Sequence, residues 1–422
     1  MKSNTALFII LMVITGATVF TVFHTALVIQ HLYTYGSRLL DVDRKMSQPM
    51  DPLTTKIVRM LRPVTKISPK NAGKATTVTR TTATREATTV IRTATKSNMA
   101  PEDGNTTAYK EIALINTPGW YSTSIPLENV FLNCDINNCR VRNGWDHFNT
   151  SDAAVFYDVD LPLKTPPKRI KQDQIWVVSG WESPHHTRSQ VFSNPGWRNQ
   201  INWTMTYRLD SDIPVPYGLV TKSENMSNKN YSAIMNNKTK LVAWVVSNCN
   251  TPGKRWKYVQ QLKEIVPVDV FGKCSSSNPG DVFGMINKTY KFYLSFENSL
   301  CKDYITEKFF RRQKLDVVLI TRGVGNYSKF YPQESFINSN NFKNAHELGK
   351  FLLKLDKNNT AYVNYLKSKE NYRSEDLNAS IIKGLCDMCK MLQNTKFHQN
   401  IYTDFNKWWL NSDCTTEPTD II

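Results

Sequence analysis

The sequence predicts an α/β fold in which parallel sheets are covered by helices on both faces. From about Ile112 onward, short apolar runs typical of buried strands alternate with stretches of helical periodicity. Strand-like runs occur at Ala153–Tyr157, Gln174–Val178, Leu241–Val246 and Val268–Phe271, and helical spacing occurs at Trp256–Val266 and His346–Leu355. Because parallel strands need long crossover connections, usually helices, this alternation favours parallel pairing.

Length and composition indicate large folded cores preceded by an appendage. The 422 residues suffice for two domains, because domains usually run about 100 to 200 residues. A hydrophobic content of 41%, with 10 Trp, 18 Tyr and 19 Phe, supplies the apolar surface for such cores. The net charge is +17, but the segment from Arg38 to Lys110 has 14 Lys/Arg against 6 Asp/Glu and contributes +8 of it. Nearly half of the charge excess therefore precedes the folded region.

An uncharged run of 23 residues, Leu7–Ile29, is long enough to cross a membrane, which takes about 20 apolar residues. The alternative is a cleaved signal peptide, whose apolar region usually has about 7 to 15 residues. We therefore predict a cytosolic tail at 1–6 and a transmembrane signal-anchor at 7–29. The positive-inside rule gives a weak preference for the opposite orientation, because a single lysine precedes the run and several basic residues follow it.

Glycosylation signals and cysteines indicate that the large part of the chain is lumenal. The sequence has ten Asn-x-Ser/Thr sequons, which are used only in the secretory lumen. Its eight cysteines, an even number, also fit an oxidising compartment. The predicted N-glycosylation sites are Asn105, Asn149, Asn202, Asn225, Asn230, Asn237, Asn287, Asn326, Asn358 and Asn378.

Residues 30–107 are predicted to form a flexible stem rich in Thr, Lys and Arg. Within it, Thr76–Thr95 contains ten threonines interleaved with arginines, a composition that cannot bury enough apolar surface to fold. A basic arm for nucleic acid is the alternative interpretation. It is disfavoured because residues 41–107 lack aromatic side chains for stacking on bases and because the compartment is wrong. No nucleic-acid partner is expected.

The segment Lys291–Lys308 is the part of the chain richest in candidate binding groups. It reads Lys-Phe-Tyr-Leu-Ser-Phe-Glu-Asn-Ser-Leu-Cys-Lys-Asp-Tyr-Ile-Thr-Glu-Lys, a strand-like run followed by polar residues and a helix start at Thr306. A strand that leads into a helix is a common place for a phosphate-bearing ligand. Taken singly, Glu297, Glu307 and Lys308 would be ordinary surface charges.

This segment resembles the donor-binding motif of the α1,3-fucosyltransferases of glycosyltransferase family 10, and every fixed position of that motif is present. The resemblance extends from about Asn129 to Leu410. Three further stretches are similar to the family in the same order, namely Trp181–Pro184, Thr206–Gly218, and Ala243–Asn248 followed by Arg255 and Tyr258.

The resemblance implies the GT-B architecture, in which two Rossmann-like domains face each other across a cleft. It implies an acceptor-binding domain at 108–232, a GDP-fucose-binding domain at 233–395, and a tail at 396–422 that packs back on the N-terminal domain. It further implies a single-pass Golgi membrane enzyme that transfers L-fucose from GDP-β-L-fucose to a GlcNAc hydroxyl with inversion. The alternative is a catalytically inactive relative that binds glycans or assembles with Golgi proteins.

Roles for individual residues follow from the matched motifs and from the chemistry of the donor. Loss of GDP leaves a diphosphate whose growing charge must be met by fixed cations, and the attacking hydroxyl must lose a proton to a carboxylate or imidazole. The resemblance implies Glu182 as the base, Arg255 and Lys308 on the diphosphate, and Asn298, Tyr304 and Glu307 on ribose, fucose or nearby backbone. His186 is either a second candidate base or a structural histidine. Possible supporting residues are Arg208, which would orient Glu182 or a phosphate, Tyr217, for which packing is an equal alternative, and Glu297.

No metal site or required cofactor is expected, because Arg and Lys can neutralise a diphosphate and a lone Cys-x-x-Cys pair is weak support for metal. Stimulation by Mn or Mg is left open. In an oxidising lumen, disulfides are the better interpretation of the cysteines. The resemblance suggests that Cys134 and Cys139 pair with Cys386 and Cys389. Cys249 and Cys274 flank one strand–helix–strand unit and are a further candidate pair, whereas Cys301 and Cys414 receive no predicted partner.

The chain departs from the family pattern after Lys308, where it is about two residues shorter and lacks a proline. Arg311 and Arg312 in this stretch are either solvated helix positions or additional phosphate contacts. The acceptor also remains open among the innermost GlcNAc of an N-glycan, a LacNAc or LacdiNAc antenna, and a glycolipid end, because acceptor contacts come from variable loops.

Overall fold

The computed structural model describes residues 109–159, 161–187, 189–223, 229–277, 279–411 and 413–422. These residues belong to one compact unit, Ala100–Ile422. The predicted tail, signal-anchor and stem, together with sequons Asn105 and Asn225, lie outside the described residues. Within the described ranges, no helix combines the length and apolar character needed to cross a membrane.

The first sheet has six strands in the order β2-β1-β3-β4-β5-β6, and all its pairings are parallel. Its central strands are almost fully buried, as expected for parallel sheets covered on both faces. Its strands are β1 Lys110–Ile115, β2 Cys139–Asn143, β3 Ala153–Tyr157, β4 Ile175–Gly180, β5 Trp203–Thr206 and β6 Ile213–Pro214.

The second sheet has five parallel strands in the order β12-β11-β10-β8-β9. Its middle strand, β10, consists of seven buried residues and leads directly into the motif that follows Phe296. A two-stranded antiparallel sheet joins β7 to β13. The remaining strands are β7 Val220–Lys222, β8 Lys240–Val245, β9 Val268–Phe271, β10 Tyr290–Phe296, β11 Val318–Arg322, β12 Phe336–Asn338 and β13 Tyr372–Ser374.

Several crossovers of the first sheet are single 3₁₀ turns, and the longest described helix, Leu377–Leu392, packs on its strand β6. Most helices begin at a side-chain cap, such as the Asp376 carboxylate, which accepts from the backbone N–H groups of Asn378 and Ala379. The described α-helices are α1 Gly119–Ser124, α2 Tyr231–Asn236, α3 Arg255–Lys263, α4 Val282–Thr289, α5 Glu307–Phe310, α6 Ala345–Asp356, α7 Asn359–Ser368, α8 Leu377–Leu392 and α9 Phe405–Leu410.

The strands and helices predicted from periodicity are all present, with ends displaced by a few residues. β3 and β9 have the predicted bounds, whereas β4 starts one residue later and continues to Gly180. The predicted helix at Trp256–Val266 begins one residue earlier and ends at Lys263. The ends of strands and helices depend on strand pairing and capping, which hydrophobic periodicity does not indicate.

One apolar cluster joins the first sheet to part of the second. It includes Trp176 and Trp203 from the first sheet and Tyr304, Phe309 and other residues that follow β10. Full burial of a large apolar side chain stabilises a fold by about 1.5–3 kcal/mol. The segment after β10 is therefore fixed against the first sheet by packing as well as by the hydrogen bonds described below.

Four disulfides join the eight cysteines. Two of them connect α8 to the segment that leads into β2, which are the cross-links implied by the resemblance. The candidate pair flanking β9 is also bonded, and the two cysteines left without a predicted partner are bonded to each other. The pairs are Cys134–Cys386, Cys139–Cys389, Cys249–Cys274 and Cys301–Cys414.

The C-terminal tail divides between the two sheets, which corrects the prediction that all of 396–422 packs on the N-terminal domain. Its first part does so, since the N–H of Tyr402 donates to the carbonyl of Ile201 at 2.8 Å. The last ten residues contact the second sheet instead, where Asp420 forms two hydrogen bonds with Arg322, at 2.6 and 2.7 Å. The buried Arg322 guanidinium needs a carboxylate partner, and the tail supplies it.

Candidate active site

The carboxyl ends of β4 and β10 are linked by side chains from the two motifs that follow these strands. Ser183 and Ser299, both fully buried, share a hydrogen bond of 2.7 Å between their hydroxyls. The hydroxyl of Tyr304 donates to Oε2 of Glu182 at 3.1 Å. Ligands of parallel α/β sheets bind at the carboxyl ends of the strands, so these contacts lie where a site is expected.

Tyr217, which follows β6 of the first sheet, holds the backbone next to Glu182 in place. The Tyr217 hydroxyl donates to the backbone carbonyl of Trp181 at 2.6 Å, and its ring meets Tyr304 edge-on. Burial raises the pKa of the Tyr304 hydroxyl well above its usual range, with further contributions from Tyr217 and Glu182. Tyr304 therefore stays protonated and remains a hydrogen-bond donor to Glu182. Tyr217 acts as a packing and positioning residue.

Glu297 braces the loop between β10 and α5 from inside the protein. Its side chain is fully buried, and its two oxygens accept from the backbone N–H and the hydroxyl of Thr306, both at 2.8 Å. Burial raises the pKa of Glu297, while the charge of Lys308 opposes that rise. Glu297 thus fixes the loop that carries Asn298 and Tyr304.

Lys308 lies on α5 with its ammonium group among three acceptors. Nζ is 2.8 Å from the Thr306 hydroxyl, 3.1 Å from Glu307 Oε1 and 3.4 Å from Glu297 Oε2. Burial disfavours the charged form, but the carboxylates of Glu297 and Glu307 outweigh it and raise the pKa of Lys308. The pKa of Glu307 is lowered, because the Lys308 charge overcomes the effect of burial. Lys308 is accordingly a fixed cation.

Arg255 is a buried cation at the first position of α3. Its guanidinium donates to the carbonyls of Phe296 at 2.8 Å and Asn248 at 3.2 Å, while its Nε is buried without a partner in the described part of the chain. Burial lowers the pKa of Arg255, and the charge of Glu297 opposes that shift. Arg255 therefore connects the segments that follow β8 and β10, and its Nε–H group remains able to donate a hydrogen bond to a ligand.

Asn298 contributes its backbone and a free amide oxygen. Its carbonyl accepts from the N–H of Gly253 at 2.9 Å, which ties the motif to the turn before α3. Its side-chain oxygen is buried and has no partner among the described residues. Asn298 and Arg255 thus both present unsatisfied polar atoms near the start of α3.

Arg208, predicted to orient Glu182 or a phosphate, contacts Asp210 and the last helix, α9. Its guanidinium donates two hydrogen bonds to the Asp210 carboxylate, at 2.8 and 2.7 Å. It also donates to the backbone carbonyl of Trp408 at 2.7 Å and stacks on the Trp408 ring. These contacts fasten α9 to the first sheet and favour a structural role. His186, the alternative base, has a buried Nε2 without a partner among the described atoms, and its backbone N–H donates to Ser183.

Two polar residues that the motifs did not indicate also lie at the strand ends. Asp158 directly follows β3 and Tyr207 directly follows β5, on either side of the strand that leads to Glu182. Both are about fully buried, and neither the carboxyl nor the hydroxyl has a partner among the described residues. A polar residue placed directly after an apolar strand is the sequence signal that would have singled them out.

The basic residues after α5 line a cavity of about 780 Å³. Arg311 is exposed and 3.9 Å from Asp376, and the Arg312 guanidinium covers the ring of Phe283 at 3.5 Å. The cavity also includes Lys369. Arg311 therefore contacts Asp376, whereas Arg312 contacts Phe283 and Tyr293.

The remaining predicted positions are distributed over the surface. Among the sequons, Asn149, Asn230, Asn237, Asn326 and Asn358 are exposed, whereas Asn202, Asn287 and Asn378 are half-buried. Within the described ranges, metal-type ligand atoms come together at His185, Cys301 and Cys414. The two sulfurs there are bonded to each other, so they are not available as thiolate ligands.

Two family models match the chain, and together they cover more than half of it. Residues 109–218 match the N-terminal domain of the fucosyltransferases, and residues 235–408 match the C-terminal domain of glycosyltransferase family 10 (fucosyltransferase). The chain belongs to glycosyltransferase family 10. The second match contains the segment after β10, and the first contains Glu182, so the family 10 domains meet at the contacts described above.

Similar family 10 proteins come from insects, nematodes and mammals. Glycoprotein 3-alpha-L-fucosyltransferase A of Drosophila melanogaster is 35% identical over 302 residues, which are 67% of this chain and 57% of that protein. Alpha-(1,3)-fucosyltransferase fut-5 of Caenorhabditis elegans is 31% identical over 69% of this chain and 81% of its own. The 4-galactosyl-N-acetylglucosaminide 3-alpha-L-fucosyltransferase 9 of Mus musculus is 33% identical over 66% and 76%. The chain thus spans less than two thirds of the Drosophila protein.

Among solved structures, a crystal structure of an alpha1,3-fucosyltransferase with GDP-fucose is similar to this family 10 chain. The two share 18% sequence identity, with a TM-score of 0.43 over 70% of this chain and 94% of the other.

Proposed function

We propose that this chain is an inverting α1,3-fucosyltransferase that transfers L-fucose from GDP-β-L-fucose to a GlcNAc hydroxyl of a glycoprotein or glycolipid glycan. The observation that carries the proposal is the contact between Glu182, which follows β4 of the first sheet, and Tyr304, in the motif after β10 of the second. It brings a candidate base to the segment that contains the candidate cations. Two parallel sheets that meet at their carboxyl ends also support a GT-B arrangement with the site in between.

The proposed reaction is a single displacement at the anomeric carbon of fucose. The acceptor oxygen forms a bond to that carbon while the bond from the carbon to the β-phosphate oxygen breaks, and the bonding pair leaves with GDP. The acceptor proton moves to the carboxylate of Glu182, and such a base typically contributes about 100- to 10,000-fold in rate. Attack from the face opposite the phosphate converts the β-linked donor into an α-fucoside.

Arg255 and Lys308 are proposed to meet the charge that develops on the leaving diphosphate. Both are cations near the carboxyl end of β10, Arg255 buried and Lys308 half-buried, and Arg255 is also the first residue of α3, where the helix dipole favours an anion. Fixed cations in a water-poor site stabilise a transition state more than mobile ones, because they need no reorganisation. Asn298, with its unpaired buried oxygen, is proposed to bind the donor as well.

The test is transfer of labelled fucose by the full chain, expressed in eukaryotic cells and solubilised in detergent. Acceptors would include N-glycan cores, LacNAc and LacdiNAc antennae and glycolipids, and the productive class would identify the acceptor. Glu182→Gln is expected to lose transfer by at least about 100-fold while GDP binding is kept. The matched control is Glu128→Gln, the same change at an exposed position.

Absence of transfer to every acceptor, with GDP-fucose still bound, would overturn the proposed activity and favour the inactive, glycan-binding alternative. Loss of donor binding in the parent would instead indicate that the shortened segment after Lys308 has broken the donor site. Transfer by Glu182→Gln at the parent's rate would refute the assigned base and leave the enzyme class intact.

We propose further that the protein is a single-pass type II protein of the Golgi membrane, anchored through Leu7–Ile29. Four disulfides and five exposed sequons in the described part support a lumenal location. The test is protease protection in sealed microsomes together with treatment by an N-glycosidase. Digestion of the large part of the chain without detergent, or no mobility change after the glycosidase, would contradict this orientation.

A further inference from the structure

The C-terminal segment, residues 413–422, runs along the side of the proposed site that would bind the donor. It starts against the motif after β10, where the N–H of Thr415 donates to the carbonyl of Leu300 at 3.0 Å, next to one of the four disulfides. It ends at α3, where Ile422 and Gln261 exchange two hydrogen bonds of 2.6 and 3.2 Å. The segment follows the residues that match the family 10 domain. It therefore adds contacts to that domain from outside the matched region.

Asp420, in this segment, is the ion-pair partner of Arg322, the last residue of β11. Its two carboxylate oxygens accept from Nε and Nη2 of the guanidinium at 2.6 and 2.7 Å. Arg322 is 1% exposed, so this pair is shielded from water on the arginine side. A carboxylate bound by two parallel hydrogen bonds fixes the plane of a guanidinium as well as its position. Asp420 thus determines where the remaining nitrogen of Arg322 points.

That remaining nitrogen holds the turn that precedes α3. Nη1 of Arg322 donates to the carbonyl of Gly253 at 2.6 Å. The N–H of Gly253 in turn donates to the carbonyl of Asn298 at 2.9 Å. A Cβ atom at Gly253 would lie 3.1 Å from the same Asn298 oxygen, so the turn packs closely on this backbone. Gly253 is therefore fixed between the Arg322 side chain and a residue proposed to bind the donor.

The same turn leads into Arg255, two positions after Gly253. It is closed by the N–H of Lys254, which donates to the carbonyl of Thr251 at 2.9 Å, and Lys254 has a left-handed φ of 48°. A residue other than glycine adopts such a φ where the surrounding contacts determine the backbone. The hydrogen bond from Arg322 is one of these contacts. A shift of Gly253 is therefore expected to displace Arg255.

We propose that Arg322 and Asp420 are positioning residues for donor binding. They fix the turn at Gly253, and through this turn they set the places of Arg255 and Asn298. The inference rests on the proposed function, because Arg255 and Asn298 are its contacts to GDP-fucose. Binding groups that are already in place need no ordering when the ligand arrives, so this positioning acts on donor affinity.

Two variants separate this role from a contribution to stability alone. Loss of Asp420 by itself would leave a buried charge unpaired, whereas replacement of both partners by apolar residues is often neutral for the fold. The double variant Arg322→Met with Asp420→Leu therefore keeps the fold and loses the hydrogen bond to Gly253. We expect its Kd for GDP and its KM for GDP-fucose to rise by about 10-fold, the effect of one hydrogen bond, with the acceptor KM unchanged.

Arg322→Lys is the second variant. Its ammonium group keeps the charge paired with Asp420 but lacks the planar fork that reaches Asp420 and Gly253 together, so we expect the same rise. The matched control is Glu417→Gln in the same C-terminal segment. Glu417 pairs with Lys254 at 2.6 Å, but its side chain is 85% exposed. Because exposed ion pairs contribute little, both donor constants should stay at the parent's values.

Calorimetric titration of the full chain with GDP measures the Kd, steady-state transfer measures the two KM values, and thermal unfolding identifies the variants that are folded. The parent's Kd for GDP in either folded variant would overturn the proposal, because the pair would then be structural only. An equal rise in Glu417→Gln, or in the acceptor KM, would overturn it as well. If GDP binding weakens as expected but the parent transfers no fucose, the proposed function has failed and the positioning of GDP stands.

Discussion

Ser183 and Ser299 are 116 positions apart in the sequence, yet their hydroxyls share a 2.7 Å hydrogen bond at a fully buried point between the two sheets. Each serine is directly beside a predicted functional residue, Glu182 on one side and Asn298 on the other. Further along, the N–H of Leu209 donates to Asp303 at 3.2 Å. The candidate base and the donor motif are therefore held by the same set of contacts, and disturbance of one is expected to reach the other.

The first prediction concerns the hydrogen bond from Tyr304 to Glu182. Tyr304→Phe keeps the ring packing with Tyr207 and removes the hydroxyl donor. Hydrogen bonds to charged groups contribute about 1.5–3 kcal/mol, so we expect kcat to fall by about 10- to 100-fold. Steady-state kinetics on the best acceptor would measure it. The matched control is Tyr109→Phe at an exposed site, and equal kcat for Tyr304→Phe and this control would contradict the prediction.

The second prediction concerns Trp120, on the short helix that follows β1. Its ring is 40% exposed and meets Trp181, the residue before Glu182, edge-on at 6.1 Å between centroids. An exposed aromatic face beside the proposed base is suited to contact the apolar face of an acceptor sugar. At about 0.5–1.5 kcal/mol for such a contact, Trp120→Ala should raise the acceptor KM by about 2- to 10-fold and leave the KM for GDP-fucose unchanged.

Trp145 provides the control for this experiment, because it is a tryptophan with the same 40% exposure that packs on Phe148 and Phe156. Trp145→Ala should leave the acceptor KM unchanged. An equal rise in both variants would point to a general loosening of the first sheet, and no rise in Trp120→Ala would remove Trp120 from the acceptor site.

The α/β architecture could be predicted from the sequence because buried parallel strands consist of consecutive apolar residues. β3 has the predicted bounds, and all seven residues of β10 are buried, as expected for a central strand. The Cys134 and Cys139 bridges followed from the family resemblance and not from spacing, since eight cysteines allow 105 pairings. Local patterns therefore predicted elements, and the resemblance supplied long-range pairing.

Local sequence patterns did not predict the tertiary contacts that individual side chains make. Arg208 was expected near Glu182 or a phosphate, but Asp210 and Trp408 occupy its guanidinium, and the second of these is 200 positions away. The contact of Asp158 with Gly180 depends on the register of two strands, which no local pattern specifies. The return of the last ten residues to Arg322 is equally a tertiary contact.

The third prediction compares two disulfides that close loops of different length. Cys301–Cys414 joins residues 113 positions apart, and Cys249–Cys274 joins residues 25 apart. If loop-closure entropy dominates, removing the longer bridge should cost about 1.3 kcal/mol more in free energy of unfolding. Denaturant unfolding of the paired Cys→Ser variants would measure the difference. A larger loss for the shorter bridge would show that native-state contacts, rather than chain entropy, decide the stability.

The last prediction concerns the pH dependence that Lys369 gives to stability. Its buried ammonium group donates to the carbonyls of Leu315 and Val317, and burial, aided by the charge of Lys229, lowers the pKa of Lys369 from 10.5 to about 7. Between these values the unfolded chain binds a proton that the folded chain has released. The free energy of unfolding therefore rises with pH from about 7 to about 10 through this group.

Lys369→Met should lose that component, so the difference in unfolding free energy between parent and variant should change with pH across this window. Chemical denaturation at several pH values would measure it, with Lys314→Met, a lysine exposed near the same cavity, as the control. A constant difference across the window would mean that the two carbonyls keep Lys369 charged despite its burial. The interior of the fold would then tolerate this charge through hydrogen bonding alone.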